Sequence, residues 1–419
     1  MIAGVGADTF NLQDLFVSEK DPEKGSDTLK GSEEKTEHAW HNCQHLFSLK
    51  SAGTLLSTIC ALPEIVLELI KKIIRTIAAL FQARKEESPP KMDPDTLLLT
   101  CFKGLDMGET AERIRENLQG KILPITLHIK RKNLREIPPE LGRLPLVELD
   151  LSENKFKEIP PDILSLAPHL TDLDLSSNML ESVPGWINIF RALTRFNLAS
   201  NHLQHVLTQK VGTLNLLKYL NVEDNSIEEL PDNFDSLLAL EELLLDKNEL
   251  ERLPSTLCKC KELKQLLCSR NKLTKLPKNI GALKRLNFLK CSDNQISSLP
   301  PSLTTCEDLA YLNLSNNPLS DLPAGFEKLT GLTSLFLAND HLKSLPADFS
   351  PPNLAVLDLS GNLFEAFPAV LFKLKELRNL TLDQSQFNKW SAALKRLQDL
   401  NPLVKFFSPG TDSQQLFLH

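Results

Sequence analysis

Leucine recurs at a fixed spacing through nearly two thirds of this chain. One copy of the pattern reads LLLDKNELERLP, from Leu243 to Pro254. The same pattern of apolar and polar positions begins again at Leu266, Leu289, Leu312 and Leu335. A period much shorter than a domain is typical of stacked supersecondary units. The chain is therefore predicted to be a solenoid rather than a set of separate globular domains.

Each part of the repeat predicts a local structure. The Leu-x-Leu pair is typical of a short strand with alternate side chains turned inward, and the strand of the next repeat should lie parallel to it. The Leu-Pro step holds the returning chain extended and prevents an early helix. The segment that follows, such as residues 279–283, buries further apolar side chains on the convex side. One repeat cannot bury its own apolar face, so its stability must come from its neighbours.

An asparagine follows most strands, where the chain turns. A buried amide at this point can hydrogen-bond backbone groups that the turn leaves unpaired. Lys132, Asp340 and Ser385 occupy the same position in three degenerate repeats, and neighbouring positions are 22 to 24 residues apart. The pattern predicts about twelve repeats across residues 123–391. The predicted structural asparagine ladder is Asn154, Asn178, Asn201, Asn225, Asn248, Asn271, Asn294, Asn317 and Asn362.

These residues resemble the leucine-rich-repeat family, in its LxxLxLxxNxLxxLP form with 22 to 24 residues per repeat. They are similar to intracellular Ras-scaffold-like members and to bacterial leucine-rich-repeat effectors without a ligase domain. The resemblance implies an α/β solenoid, a horseshoe with a parallel β-sheet on its concave face. It also implies protein–protein recognition, usually by that face.

The pattern changes outside the repeats. Residues 1–50 are predicted to be largely disordered, because residues 18–38 are charged and poor in apolar side chains. Residues 51–85 are predicted to form an amphipathic helical segment, and residues 86–122 a linker and a helical amino-terminal cap. Residues 392–419 are predicted to hold a capping helix, from Ala392 to Leu403, and a loose tail.

The apolar surface of residues 51–82 leaves several interpretations open. Its longest uncharged run, Ser51 to Pro63, has 13 residues, whereas a membrane-spanning helix needs about 20 apolar residues. We therefore expect no spanning helix. The segment either packs with its neighbours or on the solenoid, makes peripheral contact with a membrane, or docks to a partner or chaperone.

Charge and cysteine usage narrow the classes of function. The formal net charge is −7, which offers no basic footprint for nucleic acid. The start of the chain lacks the basic region of a secretory signal peptide. Cys268 and Cys291 occupy buried-leucine positions and fit a reducing compartment. The predicted location is cytoplasmic, the alternative being export into a host cell without a cleaved signal peptide.

The sequence carries no recognisable catalytic motif. It has no phosphate-binding glycine loop, no nucleophile elbow, and no cysteine after Cys306 for the ligase domain of some bacterial effectors. We expect no enzyme activity, no cofactor and no small-molecule substrate. A cluster of possible zinc ligands has no evident second pair, so the polar start of a helix stays open as the other interpretation. The cluster consists of His38, His41, Cys43 and His45.

The outward positions of the strands predict a binding face. An apolar patch with a polar surround marks an interaction site, and aromatic side chains dominate such sites. The alternative is that strand propensity alone favours these aromatics. The predicted acidic contacts are Glu148, Asp150, Asp172, Asp174, Glu223, Asp224, Glu242 and Asp246. The predicted apolar contacts are Tyr219, Leu244, Leu267, Phe288, Tyr311, Phe336 and Val356.

The predicted function is a non-catalytic scaffold or adaptor that binds a protein partner on the concave face. A membrane-associated regulator or exported effector, targeted by residues 51–82, is the alternative. An enzyme with an unrecognised site is the third class, and no motif supports it.

Overall fold

The computed structural model describes residues 125–138, 141–142, 144–206, 208–409 and 415–416. The segments predicted at 1–50, 51–85 and 86–122 lie outside the described residues, as do His38, His41, Cys43 and His45. Their structures stay predictions from the sequence.

One sheet of fourteen strands runs through the described residues, and thirteen of its strands are parallel. Each of the twelve repeats contributes one strand, and neighbours pair leucine to leucine, as Leu243 pairs with Leu220 and Leu266. The predicted horseshoe solenoid is confirmed. These strands are β1 Ile125–His128, β2 Leu146–Asp150, β3 Asp172–Asp174, β4 Arg195–Asn197, β6 Tyr219–Asn221, β8 Glu242–Leu244, β9 Gln265–Leu267, β10 Phe288–Lys290, β11 Tyr311–Asn313, β12 Ser334–Phe336, β13 Val356–Asp358 and β14 Asn379–Thr381.

Two short strands lie outside this sheet. One is in the repeat that lacks the usual Leu-Pro step, and the other is in the repeat that follows. They are β5 Gln204–Val206 and β7 Ser226–Glu229, which pair in parallel with each other. No proline follows Asn201 at the position of the usual Leu-Pro step, and the chain forms this extra strand pair there.

Short 3-10 helices return the chain on the side opposite the main sheet. Several begin directly after a proline held in extended conformation, as Pro254 is with φ −65° and ψ 141°, so the proline sets where the helix starts. Within the described residues they are η1 Pro161–Leu166, η2 Gly185–Ile189, η3 Val211–Thr213, η4 Phe234–Ser236, η5 Ser255–Lys259, η6 Ile280–Ala282, η7 Pro301–Thr305, η8 Phe326–Lys328 and η9 Ala369–Lys373.

The core is a column of leucines between the sheet and these helices. In one repeat Leu243, Leu245, Leu250 and Leu257 are all fully buried. Each such side chain contributes about 1.5–3 kcal/mol when removed from water. Cys268 and Cys291 are also fully buried, as their leucine positions predicted, and their Sγ atoms lie 3.0 Å apart.

The ladder asparagines tie each repeat to the one before it. Asn248 Nδ2 donates to the carbonyl oxygens of Leu245, in its own repeat, at 3.2 Å and of Val222, in the previous one, at 2.9 Å. Its Oδ1 accepts the N–H of Ile227 at 3.0 Å. All nine asparagines of the ladder make this set of bonds. Each amide therefore satisfies backbone groups of two repeats.

The residue before each ladder position has a left-handed backbone. Its φ lies between 53° and 60° at every non-glycine member, and is 68° at Gly361. Each non-glycine residue in this conformation costs roughly 1–2 kcal/mol. Sequence patterns missed this feature because the residue type varies. The set is Arg131, Glu153, Ser177, Ser200, Asp224, Lys247, Arg270, Asp293, Asn316, Asn339 and Gly361.

The carboxyl-terminal end departs from the repeat earlier than the sequence indicated. Ser385, interpreted as a ladder position, lies within helix α1 Gln384–Lys389, because the Asp383 N–H donates to Gln386 Oε1 at 3.1 Å and starts a helix there. Helix α2 spans Ser391–Leu400, where the capping helix was predicted to run to Leu403.

Two strands follow these helices and were not anticipated. Strand β15 Lys405–Phe407 pairs in parallel with β14, and β16 Gln415–Leu416 pairs with β15 in antiparallel. The rings of Phe387 and Phe406 lie 5.8 Å apart. The helix and strand together cover the leucines that the last repeat would expose.

Replacing Asp340 with asparagine is expected to stabilise the fold. Asp340 is fully buried in a ladder position; its Oδ1 accepts the Asn317 N–H at 2.8 Å, but its Oδ2 has no hydrogen-bond partner among the described residues. An amide at this position would donate to backbone carbonyls as in the other repeats. We expect the free energy of unfolding at pH 7 to rise by about 1–3 kcal/mol, measured by urea denaturation.

The same substitution should change the pH dependence of stability. Burial raises the pKa of Asp340 to about 8 from its ordinary 3.8. Between these two pKa values the folded chain keeps a proton on Asp340 that the unfolded chain has lost. The contribution of this protonation to the free energy of unfolding is therefore complete below pH 4 and is lost as pH rises through 8. Asp340→Asn should remove that slope. An unchanged slope between pH 4 and 8 would show that Asp340 ionises normally in the folded state.

Arg270→Gly is expected to stabilise the fold by about 0.5–1 kcal/mol. The Arg270 side chain is exposed and its φ is 55°, which glycine adopts without strain. Arg270→Ala is the control and should give no gain. The reverse change, Gly361→Ala, should destabilise, because its Cβ would lie 2.0 Å from Asn339 Oδ1. Thermal melts of the three variants test whether this position is strained.

Candidate functional site: the concave face of the sheet

Most of the predicted site residues lie in two rows across the main sheet, whereas Glu223, Asp224 and Asp246 lie in the turns that follow β6 and β8. The leading row is the side chain before the first buried leucine of each strand, and the middle row lies between the two leucines. From β2 to β13 the leading row is Glu148, Asp172, Arg195, Tyr219, Glu242, Gln265, Phe288, Tyr311, Ser334 and Val356. The middle row is Asp150, Asp174, Asn197, Asn221, Leu244, Leu267, Lys290, Asn313, Phe336 and Asp358.

Three aromatic side chains form a continuous ridge on strands β10 to β12. The rings of Phe288 and Tyr311 stack with centroids 4.1 Å apart and planes 4° apart. The ring of Phe336 lies 5.2 Å from that of Tyr311, tilted by 40°. All three side chains are partly exposed. Because the rings support one another, this aromatic ridge (Phe288, Tyr311 and Phe336) is organised before any partner arrives.

The aromatic ridge belongs to a longer apolar stripe. Leu244 and Leu267 precede it in the middle row, and Val356 follows it in the leading row; all are partly exposed. The apolar stripe, from Leu244 to Val356, crosses the six strands β8 to β13. At about 4.8 Å per strand it extends roughly 24 Å.

Tyr219 stands apart from the stripe. The Arg195 guanidinium lies over its ring, 4.1 Å from the centroid, and Arg195 Nε is 3.5 Å from Asp172 Oδ1. Asn221 Nδ2 donates to the Tyr219 hydroxyl at 3.1 Å. Burial raises the pKa of that hydroxyl. A charged side chain therefore lies over the Tyr219 ring, whereas the ring contacts within the aromatic ridge are between aromatic side chains.

Carboxylates line the face on strands β2 to β8 and the turns that follow them. Four of these carboxylates form no ion pair with a cation among the described residues: Glu148, Asp174, Asp224 and Glu242. Two others are neutralised, since Arg195 pairs with Asp172 and Lys247 Nζ lies 3.5 Å from Glu223 Oε1. This acidic section, β2 to β8, therefore keeps excess negative charge.

Some of the predicted acidic contacts serve the backbone instead. Asp150 Oδ1 accepts the Ser152 N–H at 2.9 Å and Asp174 Oδ1 accepts the Ser176 N–H at 2.8 Å. Bonds of this kind, two residues onward, end a strand in a turn. The second oxygen of Asp150 lies 3.3 Å from His128 Nδ1.

Asp246 was predicted to contact a partner, but the structure turns it inward. Only 6% of Asp246 is exposed; its Oδ1 accepts the Ser269 N–H at 2.6 Å and its Oδ2 lies 3.1 Å from Lys290 Nζ. The carboxylate thus joins its own turn to a lysine two strands away. Both oxygens are occupied, so Asp246 offers little to a ligand.

The described residues contain no group of histidine, cysteine and acidic side chains placed to hold a metal ion. None of the helices in the described ranges has the length and apolar character needed to cross a membrane.

Comparison with known proteins agrees with this architecture. Family models described as "Leucine rich repeat" and "Leucine Rich repeats (2 copies)" match residues 145–203 and 284–324. An adenylate cyclase of Podospora anserina is 26% identical over 116 residues, which is 27% of this chain and 5% of the relative. Leucine-rich repeat serine/threonine-protein kinase 1 of Mus musculus is 32% identical over 124 residues, or 25% of this chain and 6% of the kinase.

A solved structure is also similar. It is the leucine-rich-repeat ectodomain of the plant membrane receptor kinase GASSHO1/SCHENGEN3 from Arabidopsis thaliana, in complex with CASPARIAN STRIP INTEGRITY FACTOR 2. The similarity has a TM-score of 0.53 at 26% identity and covers 62% of this chain and 36% of the ectodomain.

The fold and the face define a solenoid repeat protein that presents a curved parallel sheet. Its repeats are leucine-rich repeats, as the family models that match residues 145–203 and 284–324 describe them. The chain matches only about a twentieth of the two curated relatives named above, so the similarity concerns the repeats and not the relatives' catalytic activities.

The aromatic ridge should contribute little to folding. Tyr311 is partly exposed, whereas its neighbour Leu312 is fully buried. We expect Tyr311→Ala to lower the free energy of unfolding by less than about 2 kcal/mol, mainly through lost ring contacts, and Leu312→Ala by about 2–5 kcal/mol. Denaturant titrations of both variants measure this. A larger loss at Tyr311 than at Leu312 would give the ridge a structural role.

Proposed function

We propose that this chain is a non-catalytic scaffold or adaptor that binds a partner protein on the concave face. The aromatic ridge is the observation that carries the proposal. Phe288 and Tyr311 stack against each other and remain partly exposed. Preorganised aromatic side chains favour binding because less conformational entropy is lost on association.

The family supports a partner of this kind. Leucine-rich-repeat proteins generally mediate protein–protein interaction, and the similar Arabidopsis ectodomain was solved with CASPARIAN STRIP INTEGRITY FACTOR 2 bound. Adenylate cyclase and kinase relatives are far longer than their matching repeats. The proposal therefore assigns binding, and no catalysis, to this chain.

A cytoplasmic location is part of the proposal. The five cysteines among the described residues are free and buried, which is compatible with a reducing compartment. Targeting to a membrane or a host cell through residues 51–82 stays a prediction from the sequence.

Capture by the full-length chain tests the proposed face. The test variant changes Phe288, Tyr311 and Phe336 to serine. The matched control changes three apolar side chains outside the main sheet to serine: Ile189, Leu216 and Leu238, which are 43%, 54% and 63% exposed. We expect quantitative mass spectrometry of captured lysate to find a protein retained by wild type and control, and reduced at least tenfold on the ridge variant.

Circular dichroism melts must show that both variants remain folded. Retention of the same proteins by the ridge variant would move the site elsewhere. Loss of the partner on the control variant would place the site at the edge or the convex side.

A further inference from the structure

We infer that the concave face takes a basic-apolar segment: a partner segment with apolar side chains at one end and lysine or arginine at the other. The apolar side chains would lie on the apolar stripe and the cations on the acidic section. This inference rests on the proposed function and specifies the chemistry of the partner.

The acidic section and the apolar stripe meet on one strand. Strand β8 carries Glu242 in the leading row and Leu244 in the middle row. Both side chains are partly exposed, and Glu242 forms no ion pair with a cation among the described residues. A partner that covers Leu244 must therefore also bring a group close to the Glu242 carboxylate.

The two ends of the face differ in charge. The cations of the acidic section, Arg195 and Lys247, are already paired with Asp172 and Glu223. On the aromatic side, strands β10 to β13 hold one cation and one anion in the two rows, Lys290 and Asp358, and Lys290 is paired with Asp246. The charge on this face is thus concentrated beside the apolar stripe rather than within it.

This arrangement selects among partner segments. A purely apolar segment would remove water from Glu242 without replacing its hydrogen bonds, which is costly for a charged group. An acidic segment would be repelled by the same carboxylates. A lysine or arginine would pair with a carboxylate that has no cation of its own, and would also accelerate encounter.

The strand spacing sets how far apart the two kinds of side chain must be. Glu242 lies on β8, and Phe288 and Tyr311 lie in the same row two and three strands away. At about 4.8 Å per strand the separations are roughly 10 and 14 Å. In an extended segment rising about 3.3 Å per residue, the cation and the apolar anchor must therefore be three or four positions apart.

Three synthetic peptides test the inference on the full-length chain. They share one apolar half containing leucine and phenylalanine, and carry lysine, glutamine or glutamate three and four residues away. We expect fluorescence anisotropy to give the lysine peptide a Kd at least tenfold below that of the glutamate peptide. The difference should shrink as ionic strength rises, because exposed charges are screened by salt.

A charge reversal on the protein gives the sharper comparison. Glu242→Lys should reverse the order of the peptides, so that the glutamate peptide binds more tightly than the lysine peptide. The matched control is Glu251→Lys, the same change at an exposed position outside the strands, and it should preserve the wild-type order. Reversal by both variants would show a general effect of net charge and overturn the inference.

The remaining outcomes separate this inference from the proposed function. Equal affinity for all three peptides, abolished by the ridge substitutions at Phe288, Tyr311 and Phe336, overturns the charge inference and leaves the concave site standing. Charge-dependent binding that the ridge variant retains overturns the inference, since the cation would then bind without the apolar stripe. Absence of binding by every peptide overturns the inference, and the lysate capture decides the proposed function independently.

Discussion

The structure depends on a buried asparagine amide that serves two repeats at once. Each repeat leaves backbone groups unpaired where the strand ends, and its leucines have no complete core of their own. Asn271 shows the arrangement: its Nδ2 donates to Cys268 O and Leu245 O, and its Oδ1 accepts the Leu250 N–H. The backbone groups of the turn are therefore all hydrogen-bonded only when the neighbouring repeat is in place. This couples the turn to the stacking of the leucines.

The same turn forces the preceding residue into a left-handed backbone. Ten successive repeats accept this conformation in a residue with a side chain, and one uses glycine, at Gly361. The left-handed backbone lowers stability locally in each repeat. Hydrogen bonds and leucine burial shared with the next repeat offset this loss. A regular strand exit also holds the leading and middle rows in register, so aromatic residues one repeat apart, such as Phe288 and Tyr311, meet face to face.

The concave face carries two kinds of surface that the stability of the fold does not require. The aromatic ridge keeps partly exposed rings on β10 to β12, and the acidic section keeps carboxylates without cations on β2 to β8. Neither feature fills the core or supports the ladder. Their shared boundary on β8 is the physical basis for proposing both an interaction site and a preferred partner chemistry for this face.

The sequence by itself determined the period, the parallel sheet, the ladder asparagines and the row in which each outward side chain lies, because stacked repeats translate a fixed spacing directly into a fixed face. The equivalent positions of Phe288 and Tyr311 on adjacent strands were predictable in this way. Tertiary structure alone decided what each outward side chain contacts. Lys290 pairs with Asp246 from two strands away, Arg195 covers Tyr219, and β15 extends the sheet beyond the last repeat. These outcomes depend on side-chain reach and on local turns between elements distant in the chain, which no single repeat encodes.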